Sequence, residues 1–264
     1  MATRAASIAR VLWPPVLFGV LFLGVWELIV WAYDIQQFLL PAPSAIWSAL
    51  VEEIDNVWDA VFVTGSNALV GLLLGVALGV AMSFVMMRFR VFNELATPLA
   101  VALNAIPIIV IVPVLNNMFS ISTEVPRRLM VMLIVFFIVL VNVSKGLRQV
   151  QPLHMELMRS YAATPWTVMV KTRIPNALPY LFTALKIAAP AAVVTAFVAE
   201  YFGGRQNGIG YGITSSAATS DNDVTWAYVA GACALGVTFF MISVGLEKTT
   251  VKQAGPRRPG GATT

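Results

Sequence analysis

Few side chains in this sequence could do chemistry, and they are scattered. His154 is the single histidine and has no metal ligands beside it, so surface solvation accounts for it. Cys233, the single cysteine, lies in an apolar run, has no partner for an intrachain disulfide and reads as packing. Glu27 and Glu200 are the only acids within the long apolar runs. An acid inside a membrane span is a functional hypothesis by default, although Glu200 lies near enough to the end of its run for interfacial water to explain it. Gly208, Gly210 and Gly212 form a G-x-G-x-G in a stretch of turn formers, and no G-x-x-x-x-G-K-[ST] occurs, so the chain lacks a P-loop to cradle nucleotide phosphates. A membrane-embedded enzyme would need clustered His, Asp, Glu or Cys, and no such cluster is present.

The informative polar stretch is Lys145 to Pro179, the only long polar segment between two blocks of near-continuous apolar sequence. Five of the seventeen Lys and Arg lie in it: Lys145, Arg148, Arg159, Lys171 and Arg173. A short basic loop between membrane spans faces the cytoplasm. Its pattern predicts two short helices around a turn. Glu156 to Tyr161 is helix-prone, Thr164 offers an N-cap and Pro165 a proline at the first helical position. Trp166, Val168, Met169 and Val170 follow on the second helix, and Pro175 and Pro179 are expected to stop it. Exposed Trp and Met in such a loop have no lipid to bury in, which points to a groove on another protein.

The elements that hold this loop are set by composition. The chain is 58% hydrophobic and 11% charged, which no ordinary soluble domain matches. The class is an all-α polytopic membrane protein of about six transmembrane helices. Residues 1–10 form a cytoplasmic N-terminus, 11–250 the transmembrane domain with the loop at 145–179, and 251–264 a disordered cytoplasmic tail. The net charge of +4 does not suggest nucleic acid, because fourteen of the seventeen basic residues fall on the cytoplasmic side of this topology and only Arg127, Arg128 and Arg205 fall outside.

The first span runs from Val11 to about Tyr33, too long for a signal-peptide core. Ser44 can cap a surface helix with Ile46, Trp47 and Leu50 on its apolar face, and Asp34, Glu52, Glu53, Asp55 and Asp59 belong outside. The second span, about Val61 to Met87, carries Gly71, Gly75 and Gly79 at a spacing that forms one smooth stripe, read as tight helix packing. The third, about Leu95 to Phe119, contains Pro107 and Pro113 with Asn104, Asn116 and Asn117; pathway lining and a packing kink account for it equally. Ser120 to Arg128 is an outer turn. The fourth span, Leu129 to about Ser144, carries Asn142. The fifth, about Tyr180 to Phe202, has Ala188, Ala192 and Ala196 on one small-residue face, Pro190, and Lys186 placed to snorkel. Gly203 to Asp223 reads as an outer loop, and the last span covers about Val224 to Leu246. The pathway candidates are Asn104, Pro107, Asn116, Asn142 and Glu200.

The loop resembles the EAA signature of binding-protein-dependent ABC importer permeases, whose pattern is roughly E-A-A, three residues, G, nine residues, then I-x-L-P. Glu156 matches the Glu, Pro175 the terminal Pro and Ile174 the preceding Leu; Leu157 and Met158 replace the alanines, Ala162 the glycine and Thr172 the isoleucine. LLPAPSAIWSALVE, the proline-interrupted third span, and ALPYLFTALKIAAPAAVVTAFVAEYFGG followed by NGIGYGI are similar to the nitrate/sulfonate/taurine-type subfamily. The resemblance covers about residues 10 to 250. It implies the type I importer fold, in a multi-pass protein of the bacterial inner membrane with both termini cytoplasmic. It also implies cytoplasmic ATPase subunits, an external solute-binding protein and a second permease subunit in a homodimer. This chain would be non-catalytic and hold no cofactor or metal, with ATP and Mg on the ATPase. The coupling helix is carried over to about Ala162 to Val170, and Glu156, Arg159, Ser160, Tyr161, Ala162, Thr164, Pro165, Trp166, Val168 and Met169 are the expected ATPase-coupling residues. The solute would be a small polar molecule: an organic anion such as a sulfonate or nitrate, or a vitamin-precursor or pyrimidine-like heterocycle. The rival reading is an ion-coupled secondary transporter, which would need buried coupling acids and often internal repeats; Glu27 and Glu200 are the only candidates and no repeat is visible.

Overall fold

Lipid offers no hydrogen bonds, so a spanning chain must satisfy its backbone within helices, and the described part of this chain is built from them. The computed structural model describes residues 2–89, 108–120 and 122–251. The helices are α1 (Ala2–Ala32), α2 (Pro43–Glu52), α3 (Ile54–Arg88), α4 (Ile108–Phe119), α5 (Val125–Arg148), α6 (Pro152–Ser160), α7 (Pro165–Tyr201), α8 (Ile209–Ala218) and α9 (Asn222–Val251). Among the described residues α3, α5, α7 and α9 are long and apolar enough to cross a membrane, and α1 contributes a shorter apolar stretch, Val16–Ala32. The expected third span is described only from Ile108 onward. Asn104, Pro107 and the tail beyond Val251 lie outside the described residues.

The centre of the bundle is α5, which packs against α3 on one side and α7 on the other, with α9 laid against α7. The glycine stripe explains the first contact. A Cβ on Gly75 would come 2.6 Å from Val135 Cβ and 2.7 Å from Met132 O, and one on Gly79 would come 2.9 Å from Val139 Cβ. These distances are below any real carbon contact, so the helices approach only because the side chains are absent. Val131, Val135, Val139 and Val143 on α5 are buried against this stripe, and Ala184, Ala188, Ala192 and Ala196 on α7 close the other side. Small residues on two helices around valines on a third make one continuous core.

Several boundaries differ from the sequence expectation. Pro175 and Pro179 do not stop a helix, because α7 runs unbroken from Pro165 to Tyr201. A π-helical turn at Met169–Arg173 carries the Ile174 N–H to Met169 O, five residues back, which widens the backbone where Pro175 would otherwise clash with the preceding turn. Arg127 and Arg128 belong to the first turn of α5 rather than to an exposed turn, and Arg127 is buried. The segment 203–223, expected as a loop, contains α8. Ser44 is not a cap: α2 begins with Pro43 after Ala42, and the Glu27 carboxylate of α1 accepts from Ser44 N at 3.1 Å and Ser44 Oγ at 2.7 Å. The acid of the first span thus serves one orphan backbone donor of the next helix, together with the hydroxyl of the same residue. Lys186 Nζ bonds both oxygens of Glu247, near the end of α9, at 2.9 Å.

Candidate functional site

The bundle has a basic end, where α5 meets α7 through α6, and an opposite end, where α3, α5, α7 and α8 meet through polar side chains. At the basic end α6 has no buried residue. Leu153 and Leu157, one turn apart on α6, are exposed, as are Tyr161 after it and Trp166 at 75%. The chain turns between the two helices at Ala162, whose φ is +46°. Thr164 then caps as the sequence predicts, its Oγ1 accepting from Thr167 N at 3.3 Å, with Pro165 next.

The ten residues expected at this loop are therefore not equivalent. Glu156, Arg159, Ser160 and Tyr161 are exposed on α6 and its end, Ala162 forms the turn, and Thr164, Pro165 and Trp166 are exposed at the start of α7. Val168 and Met169 are half-buried, and Met169 packs against the core. The free-standing helix is α6, whereas the helix expected over Ala162 to Val170 is the root of α7.

The loop's two roots are fastened to each other. Asn176 Nδ2 donates to Gly146 O at 2.8 Å and Gln149 O at 3.1 Å, Arg173 Nη1 donates to Leu147 O at 3.2 Å, and Tyr180 Oη donates to Gln149 Oε1 at 2.9 Å.

At the opposite end Glu200 is 3% exposed, which excludes the interfacial solvation that the sequence allowed. Its Oε2 accepts from Thr64 Oγ1 at 2.7 Å and from Gly210 N at 3.1 Å, while Thr64 Oγ1 accepts from Ile209 N at 2.9 Å. A carboxylate and a hydroxyl thereby receive the first amides of α8. Gly208 enters that helix with φ +87°, and a Cβ there would lie 2.5 Å from Glu200 Oε2.

Arg127 adjoins this group. Its Nη1 lies 4.0 Å from Glu200 Oε1 and bonds Glu124 Oε2 at 2.8 Å and Asn207 Oδ1 at 2.6 Å, and its Nη2 donates to Arg205 O. Asn67 donates to Glu124 Oε2 at 2.8 Å and accepts from Arg128 Nε at 3.0 Å. Burial alone would raise the Glu124 carboxyl, but Asn207, Arg127 and Asn67 outweigh it and hold the group below its ordinary value.

Of the pathway candidates within the described residues, Asn116 is buried on α4, and Asn142 donates to Ile138 O of its own helix at 2.8 Å. Glu200 bonds neither. The residues that do meet Glu200 and its neighbours, Thr64, Asn67, Glu124, Arg127 and Asn207, did not stand out in sequence. One signal was available: Thr64 and Asn67 continue the face of Gly71, Gly75 and Gly79 at helical spacing, so polar groups there had to find partners on neighbouring elements, Thr64 on α7 and α8 and Asn67 at the start of α5.

Comparison with known proteins places this architecture. Residues 71–248 match the model of the family described as binding-protein-dependent transport system inner membrane component. The chain belongs to this family. It is an ABC importer permease, a multi-pass inner-membrane protein, and the EAA-like loop is read in that setting. The formylaminopyrimidine transport permease protein ThiX of Halalkalibacterium halodurans is 29% identical over 202 residues, 75% of this chain and 78% of its own length. The riboflavin transport system permease protein RibX of Chloroflexus aurantiacus is 27% identical over 259 residues, 96% of this chain and 95% of its own. A solved structure of the MetNI methionine ABC transporter in inward-facing conformations superposes with a TM-score of 0.57 at 16% identity, covering 74% of this chain and 94% of the matched chain. That likeness shows the type I permease fold.

Proposed function

We propose that this permease moves a small polar solute into the cytoplasm by alternating access, driven by ATP hydrolysis on separate cytoplasmic subunits. The observation that carries this reading is the loop built on α6, a helix without a buried residue: Leu153 and Leu157 on it, Tyr161 after it and Trp166 at the start of α7 are all exposed, between two roots tied into the bundle. Apolar side chains on a short basic loop are accounted for by a groove on a partner protein. The ATPase would bind ATP and Mg, and this chain would contribute α6, its turn and Trp166 as the contact. Closing of the ATPase pair would move α6, and α5 and α7 with it, between discrete packing arrangements.

The basic loop and both termini are assigned to the cytoplasm by the positive-inside rule. A solute-binding protein would deliver the solute at the opposite end, near Gln206 to Tyr211 and α2. Two such chains would line the route as a homodimer. The names of ThiX and RibX favour a heterocyclic vitamin or vitamin precursor over a small inorganic or sulfonate anion. Among the described residues Lys186, well inside α7, is paired with Glu247, so its charge is already balanced within the chain.

The test is co-expression of the tagged chain with candidate ATPase subunits, followed by capture and ATP hydrolysis. The expected result is capture of an ATPase, with capture or coupled hydrolysis falling at least about tenfold in Leu157→Ala and Trp166→Ala, since hot-spot side chains each contribute on that order. A folded chain that recruits no ATPase, or is indifferent to both substitutions, overturns the reading.

A further inference from the structure

A helix ends with carbonyls that have no partner inside it. In α5 these include Gly146 O and Leu147 O, and both accept from side chains of α7: Asn176 serves Gly146 O and also Gln149 O, and Arg173 serves Leu147 O. Tyr180 adds a bond to the Gln149 side chain. Residues 173, 176 and 180 lie on one face of α7 at helical spacing, and the Arg173 cation sits where a helix C-terminus favours positive charge. The two helices also touch closely here, since a Cβ on Gly146 would lie 2.9 Å from both Ala177 Cα and Tyr180 Cβ. Arg173 further reaches Met87 Sδ near the end of α3 at 3.1 Å. The π-helical turn at Met169–Arg173 ends on Arg173 itself.

We infer that Arg173, Asn176 and Tyr180 are positioning residues that close the base of the α6 loop, so that a displacement of α6 is delivered to α5 and α7 as one body. The inference rests on the coupling role proposed for α6. Without the clamp the two roots of the loop would part under load, and movement of α6 would be absorbed in the loop. Asn176 is central, because its one amide group bonds two carbonyls on either side of the point where α5 ends.

The experiment measures a distance by electron spin resonance in the full chain, alone and bound to its ATPase. Spin labels are placed through His154→Cys on α6 and Val141→Cys on α5, both exposed sites, with Cys233→Ser removing the native thiol. In the unsubstituted base the distance distribution is narrow and stays unchanged when ATP and vanadate are added to the complex. In Asn176→Ala it broadens roughly twofold and shifts with nucleotide, as local opening replaces a fastened base, while ATPase capture is retained. Asn176→Gln, which restores an amide donor, recovers the narrow distribution. Tyr180→Phe removes one hydroxyl and keeps the ring against Gly146; it repeats the comparison should Asn176→Ala give no folded chain. Capture retained with no broadening in either variant overturns the clamp and leaves the coupling role standing. Failure of the unsubstituted chain to capture any ATPase overturns the coupling role, and the clamp's part in it, whatever the distances show.

Discussion

Thr64 and Glu200 are 136 residues apart in sequence and 2.7 Å apart in space, joined by a fully buried hydrogen bond between α3 and α7. Thr64 also receives Ile209 N, so a single hydroxyl links two spans to the start of α8. Thr64→Val keeps the shape but leaves a buried carboxyl and a buried amide short of a partner, a loss of about 1–3 kcal/mol. Thermal unfolding of the purified chain in detergent should register that loss, with Thr64→Ser close to the parent. A Thr64→Val chain as stable as the parent removes the link from any account of the fold.

The α3–α5 contact predicts a sharp size limit. Gly75→Ala should cost roughly 1–3 kcal/mol by overpacking against Val135 and the Met132 carbonyl. Gly236, which has nothing within 4 Å of its would-be Cβ, supplies the control: Gly236→Ala should be neutral or slightly stabilising. Equal behaviour of the two variants in the same unfolding assay argues against the stripe.

At Ala162 the expected effect is a gain. A non-glycine residue at φ +46° carries roughly 1–2 kcal/mol of left-handed strain, so Ala162→Gly should relax the turn. The gain need not appear in global unfolding, because the loop is local; slower proteolysis at the turn is the measurement. Faster cleavage in the glycine variant would mean that its added flexibility outweighs the relief.

Glu124 ties stability to acidity. Its carboxyl is held below its ordinary value of 4.5 in the folded chain, so the folded state binds its proton less readily than the unfolded state. Its stabilising contribution is complete above the ordinary value and is lost as pH falls through the depressed one. The parent should lose more stability between pH 6 and pH 3 than Glu124→Gln, a difference seen by following the unfolding temperature across that range. Parallel curves for the two proteins exclude the linkage.

The loop and the packing stripes were legible because their signals are local. Thr164-Pro165 announces a helix start by its own chemistry, and three glycines at helical spacing define a face without reference to what meets it. The turn was legible as well: Ala162 stands where the EAA pattern has glycine, and its positive φ gives the physical reason for glycine there. Pro175 misled because proline stops helices in water, whereas here a π-helical turn makes room for it within one long span. The Glu200 and Arg127 groups were hidden for another reason. Their partners Thr64, Asn67 and Asn207 are ordinary polar residues, and only the tertiary fold assigns Asn207 to Arg127. Glu27 shows the same limit, since nothing in its own span announces that it will cap α2.

The pairing of Lys186 with Glu247 has a consequence for biogenesis. The ribosome delivers Lys186 to the membrane 61 residues before its counter-charge, so α7 must enter the bilayer carrying an uncompensated cation, at a cost of up to about 3 kcal/mol. Neutrality arrives only with the last span. A chain halted before α9 would keep the packing of α7 on α5 but leave Lys186 without its carboxylate, so the order of synthesis places the balancing charge after the span that needs it.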